Sequence, residues 1–227
     1  MTGRELDDLF KSPPPATDPA LLENIAKSMG ATMAPVTPLL PSWLLTAVLV
    51  TVSAIISTLG AALLGFQGIR RLSGEKIGLI FSLLLLFTIL AATVSVAGMI
   101  PGSYRLVGPR ALLVASILAF AAVFAALFHD DSMSGFVPRG LKCLAAGVLI
   151  AIPAGLASWL VLRRGLAVDP VSAGLAGGTM AGLAGLITLE LHCPNFATMH
   201  LLVWHTAVIL VSATLGALVA RASRSVS

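Results

Sequence analysis

Uncharged apolar stretches alternate with short polar segments along residues 43–220 of this 227-residue chain. About 20 helical residues cross a hydrocarbon core of about 30 Å, and a helix satisfies its own backbone hydrogen bonds inside that core. The pattern therefore predicts an all-α polytopic membrane protein, built as a bundle of six transmembrane helices. The predicted spans are Trp43–Phe66, Ile77–Ile100, Ala111–Phe128, Leu144–Leu162, Val171–Leu189 and Leu201–Ala220.

The first 42 residues form a separate N-terminal arm, with five acidic and three basic side chains and a local charge of −2. Asp18 is suited to cap a helix that has Pro19 at its first position. The arm is either a disordered tail or a segment that folds on a partner and presents an amphipathic surface to it. Its apolar face would carry Leu21, Leu22, Ile25 and Met29. Residues 43–220 then form the membrane domain, and residues 221–227 form a short tail.

Composition excludes a soluble domain and does not favour nucleic-acid binding. Hydrophobic residues make up 57% of the chain and charged residues 11%, with a mean hydropathy of +0.99. A soluble domain carries about 25% charged residues. The net charge is +4, but no basic cluster exceeds two neighbouring arginines, as in Arg70–Arg71. We therefore interpret the basic residues as determinants of topology and predict no direct contact with nucleic acid.

The distribution of lysine and arginine predicts the orientation. An even number of spans puts both termini on one side, and that side receives nine basic residues against five on the other. Positive residues are retained in the cytoplasm, so both termini are predicted to be cytoplasmic. The Arg70–Arg71 pair argues against this orientation. The nine are Arg4, Lys11, Lys27, Arg105, Arg110, Arg163, Arg164, Arg221 and Arg224; the five are Arg70, Arg71, Lys76, Arg139 and Lys142.

The fifth span carries glycines at four-residue spacing, Gly174, Gly178 and Gly182. Small residues at this spacing let two helix backbones approach closely in a membrane. They predict tight packing within the bundle or between protomers.

Residues with reactive side chains collect between spans three and four and between spans five and six. All four histidines and both cysteines, Cys143 and Cys193, fall on the side opposite the termini. The candidate residues that would support the two thiols are His192, Pro194, Asn195, His200, Trp204 and His205. His205 lies about one turn inside the sixth span, where a polar side chain needs a partner, and Glu190 and Asn195 are the nearest in sequence.

Three interpretations of this cluster remain open. The thiols could form a redox pair, which requires Cα atoms within about 7 Å of each other. Cysteine, histidine and glutamate could hold a metal ion. The side chains could also be structural. His200 and His205 are five residues apart, about 140° around an α-helix, so we predict that they do not chelate together. We expect no bound metal and no cofactor.

An enzyme is not expected. No Gly-x-Ser context surrounds Ser158 or Ser172, no metalloprotease motif is present, and no Asp, Glu, Lys or Arg lies deep in a span. The last observation also disfavours ion-coupled transport. A small membrane channel or carrier subunit with a Cys/His metal site on its outer face remains the alternative function.

The run Cys193-Pro194-Asn195 followed by His200-Leu201-Leu202-Val203-Trp204-His205 resembles the C-terminal signature of the negative-regulator-of-sigma-F (NrsF-like) family. Cys143, 50 residues upstream of Cys193, and the proline-rich segment Pro35–Trp43 are similar to the family as well. The resemblance implies a six-span anti-sigma factor of the bacterial inner membrane. It further implies that the N-terminal arm binds an extracytoplasmic-function sigma factor, and that Cys143 and Cys193 sense oxidant or metal stress on the periplasmic face.

Overall fold

The computed structural model describes residues 18–32, 40–100, 102–105, 107–130, 132–163 and 169–224. This part of the chain is helical, and it contains no strand beyond an isolated bridge between Asp130 and Ala197. Six helices are long and apolar enough to cross a membrane, so the predicted six-span architecture is confirmed. Their bounds are α2 Ser42–Leu64, α3 Gly74–Ala97, α4 Pro109–Leu127, α5 Phe136–Leu162, α6 Pro170–His192, and α7, which begins at Thr198 and ends at Arg224.

Residues 1–38 form a unit of their own, of which residues 18–32 are described. Helix α1 spans Pro19–Thr32, and Asp18 Oδ1 accepts a hydrogen bond from the Ala20 backbone N–H at 2.9 Å, as predicted for a capping residue. The four apolar side chains of its predicted face, Leu21, Leu22, Ile25 and Met29, are 44–57% exposed. Most of the proline-rich segment before α2 lies outside the described residues.

Helix α6 is the central helix of the membrane unit. Within its most apolar window, 72% of α6 is buried inside the protein, against 22–39% for the other five spans. The glycines of α6 make this possible, because they bring its backbone against that of α7. A methyl group at Gly178 would lie 2.5 Å from the Ser212 carbonyl oxygen, and one at Gly182 would lie 2.6 Å from Ile209 Cα. The predicted close packing at this glycine spacing is confirmed within the bundle.

Three connecting loops meet at one end of the bundle, which we call the thiol end because it carries Cys143 and Cys193. The Gly68 N–H donates to the Leu191 carbonyl at 3.1 Å and joins the α2–α3 loop to the end of α6. Thr198 joins the start of α7 to the end of α4: its N–H donates to the Asp130 carbonyl and its hydroxyl to the Phe128 carbonyl, both at 2.8 Å. These bonds fix the ends of four helices around the cysteines.

Helix α7 is not a uniform α-helix. After one turn at Thr198–His200 it passes through a π-helical turn at Leu201–His205 and then continues as α-helix over Thr206–Arg224. A π turn is wider than an α turn because its hydrogen bonds link residues five apart. Such turns occur often at functional sites. This one directly follows the candidate His200 and ends at the candidate His205.

Candidate functional site

The two cysteines of the chain face each other across the thiol end. Cys143 lies near the start of α5 and is half-buried, whereas Cys193 directly follows α6 and is 3% exposed. Their Sγ atoms are 3.5 Å apart, and both are free thiols. The fold therefore brings together two sulfur atoms separated by 50 residues, within reach of a bond after a small movement, since a disulfide has an S–S distance of about 2.05 Å.

His200 and His205 also meet at this point, contrary to the prediction. The His200 Nε2 atom lies 3.6 Å from Cys193 Sγ, and the His200 and His205 ring centroids are 5.3 Å apart. The prediction that these two histidines diverge was wrong because it assumed α-helical spacing. The π turn at Leu201–His205 places residues five apart above one another on the same side of α7.

His205 is held by Glu190, one of the two partners predicted for it. Its Nδ1 atom lies 2.7 Å from Glu190 Oε1, and both side chains are buried. A carboxylate only accepts, so His205 Nδ1–H donates this hydrogen bond, and Nε2 is the ring nitrogen left for other contacts. Asn195, the other predicted partner, instead accepts from the Ala197 N–H and shapes the loop after Cys193.

Several buried polar atoms in this cluster have no hydrogen-bond partner among the described residues. They include His205 Nε2, His200 Nδ1 and Glu190 Oε2. An unpartnered buried polar atom costs about 1–3 kcal/mol. Three such atoms in one cluster carry a cost in stability that packing alone does not explain.

One ligand atom each from Cys143, Cys193, His200 and His205 lies within 4.8 Å of all the others. Four such atoms are the donor set of a tetrahedral metal centre, so the arrangement suits a metal ion as well as a thiol–disulfide pair. The expectation of no bound metal rested partly on the assumed divergence of His200 and His205. The spacing of His200 and His205 along α7 therefore does not disfavour a metal ion.

The protonation of Cys193 depends on its neighbours. Its hydrogen bond with Cys143 and then its burial raise the pKa of the Cys193 thiol, while His200 and His205 act in the opposite direction. The net direction is upward, so Cys193 keeps its proton at neutral pH. A reagent that consumes the thiolate must therefore first displace that proton.

Trp204 anchors α7 to α5 beside the site. Its indole ring lies directly against the Gly140 backbone, where any side chain would collide with it, and its centroid is 5.5 Å from that of Phe136. Gly140 lies three residues before Cys143, and Trp204 directly precedes His205. The contact thus sets the spacing between a cysteine and a histidine of the cluster.

The remaining predicted residues frame the site without entering the four-residue cluster. His192 Nδ1 lies 2.9 Å from the Gly65 carbonyl oxygen and fixes the α2–α3 loop, and Pro194 follows Cys193 in the loop before α7. Sequence reasoning missed Gly68 and Gly140. A methyl at Gly68 would lie 2.7 Å from the Cys193 carbonyl oxygen. Neither glycine belongs to a motif, so only the structure reveals them.

Comparison with known protein families shows which family the chain matches. The family model described as "Negative regulator of sigma F" (NrsF) matches residues 29–223. No curated protein matches the chain. No solved structure matches it either.

Proposed function

We propose that this chain, which belongs to the NrsF family of negative regulators of sigma F, is a membrane-bound anti-sigma factor with a thiol switch. It holds an extracytoplasmic-function sigma factor through residues 1–42 and releases it when Cys143 and Cys193 react with an oxidant or a metal. One observation carries this proposal. The chain has two cysteines, and their Sγ atoms lie 3.5 Å apart in a member of a regulator family.

The proposed location is the bacterial inner membrane, with both termini in the cytoplasm and the thiol end in the periplasm. The excess of lysine and arginine on the side of the termini supports this orientation. The periplasm is oxidising, so two neighbouring thiols there are suited to report on redox chemistry.

The proposed sigma-binding surface is α1 together with the rest of the N-terminal arm. The arm has a charge of −2, and α1 exposes Leu21, Leu22, Ile25 and Met29. An acidic amphipathic helix complements a partner that offers an apolar groove within a basic surface, and sigma factors carry basic surfaces for DNA. Binding would cover such a surface without any contact between this chain and DNA.

The proposed switch acts through the central helix. A two-electron oxidant such as a peroxide takes two electrons and two protons from the thiols, and an S–S bond then joins Cys143 to Cys193. This bond would tie the start of α5 to the end of α6, and the spans would shift so that the arm loses its sigma-binding arrangement. The switch needs two conformations of the bundle, one that binds sigma and one that releases it. Shifting their ratio from 1:99 to 99:1 takes a difference of about 5.5 kcal/mol in binding free energy between the two conformations. The proposed switch requires the covalent bond and the repacked interface together to supply this difference.

The test uses the full-length chain in native membranes, with copurified sigma factor identified by mass spectrometry. We expect Cys143→Ser and Cys193→Ser each to retain sigma binding and to abolish its release by peroxide. Ser82→Cys in the wild-type background adds an exposed thiol on α3 and serves as a control for nonspecific oxidation. Normal release from the double serine variant would refute the role of the thiols, and absence of any sigma factor from the wild-type complex would refute the anti-sigma role.

A further inference from the structure

We propose that Cys143, Cys193, His200 and His205 bind a thiophilic transition-metal ion in a tetrahedral site, and that Glu190 orients His205 for this purpose. The inference deepens the sensing role proposed above, and its regulatory meaning rests on that proposed function. The binding itself can be measured without any sigma factor.

Two distances in the cluster match those expected between ligands of a tetrahedral metal ion. Zinc–sulfur bonds of about 2.3 Å and zinc–nitrogen bonds of about 2.0–2.1 Å place tetrahedral ligands about 3.8 Å apart for two sulfurs and about 3.6 Å apart for sulfur and nitrogen. The observed separations are 3.5 Å between the two Sγ atoms and 3.6 Å between Cys193 Sγ and His200 Nε2. The two sulfurs and His200 Nε2 therefore need little movement to bind one ion, and no two of the four ligand atoms are more than 4.8 Å apart. A disulfide needs the sulfurs to approach by more than 1 Å.

The orientation of His205 is the second, independent observation. A metal-binding histidine generally donates its other ring N–H to a carboxylate or carbonyl group. Glu190 accepts from His205 Nδ1 at 2.7 Å, which leaves Nε2 as the ring nitrogen available to a metal. That nitrogen is buried on a side chain only 1% exposed and has no hydrogen-bond partner among the described residues. A bound cation would satisfy it.

The donor set selects the class of metal. Two thiolates and two imidazoles favour soft or borderline ions that accept tetrahedral geometry, such as Zn²⁺, Co²⁺ or Cu⁺, over Mg²⁺ and Ca²⁺, which prefer oxygen. Two thiolates also balance the charge of a divalent ion, which matters in a site as buried as this one. The half-buried Cys143 is the most accessible ligand and marks the entry point.

Metal binding and disulfide formation exclude each other at this site. A bound ion takes both sulfurs as thiolates and releases their protons, so the thiols are no longer free to form an S–S bond. The same four residues would therefore give the protein two distinct chemical inputs. This predicts that metal protects the thiols from peroxide and from alkylation.

The experiment titrates Co²⁺ into the purified, reduced full-length chain in detergent. We expect one cobalt ion per chain, with the strong visible absorption of tetrahedral cobalt and a thiolate charge-transfer band in the near ultraviolet, both lost when Zn²⁺ displaces the cobalt. His200→Gln and His205→Gln should each weaken binding and lower the tetrahedral absorption. Glu190→Gln should keep the spectrum and weaken binding about 10–100-fold, the usual effect of a partner behind a ligand. The matched control is His129→Gln, which alters an exposed histidine outside the cluster.

A second measurement needs no variant. Zn²⁺ should slow alkylation of both thiols in the wild-type chain. Octahedral cobalt, or a titration unchanged by both histidine substitutions, would overturn the four-ligand site. If metal binds as described but never alters sigma retention, the site stands and the proposed metal input to regulation fails. If peroxide releases sigma while no metal binds, the inference fails and the proposed function survives.

Discussion

The two ends of the α6–α7 pair are built on opposite principles. Along the glycine-lined part of the pair, the backbones are so close that Gly178 and Gly182 leave no room even for a methyl group. At the thiol end the same two helices meet through polar side chains: Glu190 of α6 lies against His205 of α7, and His200 lies beside them. Buried polar atoms there lack hydrogen-bond partners among the described residues. The first region is optimised for packing. The second leaves buried polar atoms unpaired within the described part of the chain, a loss of stability of the kind that is typical of functional sites.

The largest effect should come from breaking the glycine contact. Gly178→Leu would force a branched side chain into the α7 backbone at Ser212, and we expect loss of the folded, monodisperse protein in detergent. Gly78→Leu is the matched control, because a Cβ atom added at this α3 position meets nothing within 4 Å. Thermal stability is measured by fluorescence-detected size exclusion. Equal stability of both variants would contradict the claim that the close α6–α7 contact at Gly178 stabilises the bundle.

An intermediate effect is expected at the thiol end. Glu190→Ala removes the acceptor of the buried His205 N–H and leaves a cavity, which should lower the free energy of unfolding by about 3 kcal/mol. Glu190→Gln retains an oxygen acceptor and should lose less than half as much. Thermal unfolding of the two purified variants measures the difference. If both variants unfold like the wild type, the Glu190–His205 contact is not a structural element of the site.

The smallest effect is expected at the contact between Gly140 and Trp204. Gly140→Ala would displace the indole ring, at an expected cost of about 1–2 kcal/mol, because the ring can move toward the lipid. The displacement should shift the tryptophan fluorescence and change the reactivity of Cys143 toward maleimide, since Gly140 lies one helical turn before it. Gly155→Ala on the same helix is the control, because its added methyl would make an ordinary contact at 3.6 Å with Ala181. Identical labelling rates in the two variants would show that Trp204 does not set the geometry of the site.

The sequence was sufficient to predict the six spans and the packing of α6. Hydrophobic length and glycine spacing are local properties, and the membrane leaves helices few alternatives. The partner of His205 was also within reach, because a buried polar side chain near Glu190 needs an acceptor. These predictions required no knowledge of distant contacts.

The meeting of the four ligands could not be predicted from the sequence. The distance between Cys143 and Cys193 depends on how α5 and α6 pack and on the hydrogen bonds of Thr198 and Gly68 that hold the loops. The geometry of His200 and His205 depends on a π turn. The residue types in Leu201–His205 do not indicate that this turn departs from α-helical spacing. The segment is helical as predicted, but the wider turn brings His200 and His205 together, whereas α-helical spacing predicts that they diverge.

The most direct test of the thiol switch measures the Cys143–Cys193 disulfide and bound sigma factor in the same sample. Full-length chain in native membranes would be treated with increasing peroxide, quenched by alkylation, and analysed by quantitative mass spectrometry. We predict that the fraction of sigma factor released rises in proportion to the fraction of chains with the disulfide. Sigma factor that stays bound to fully oxidised chains would contradict the account.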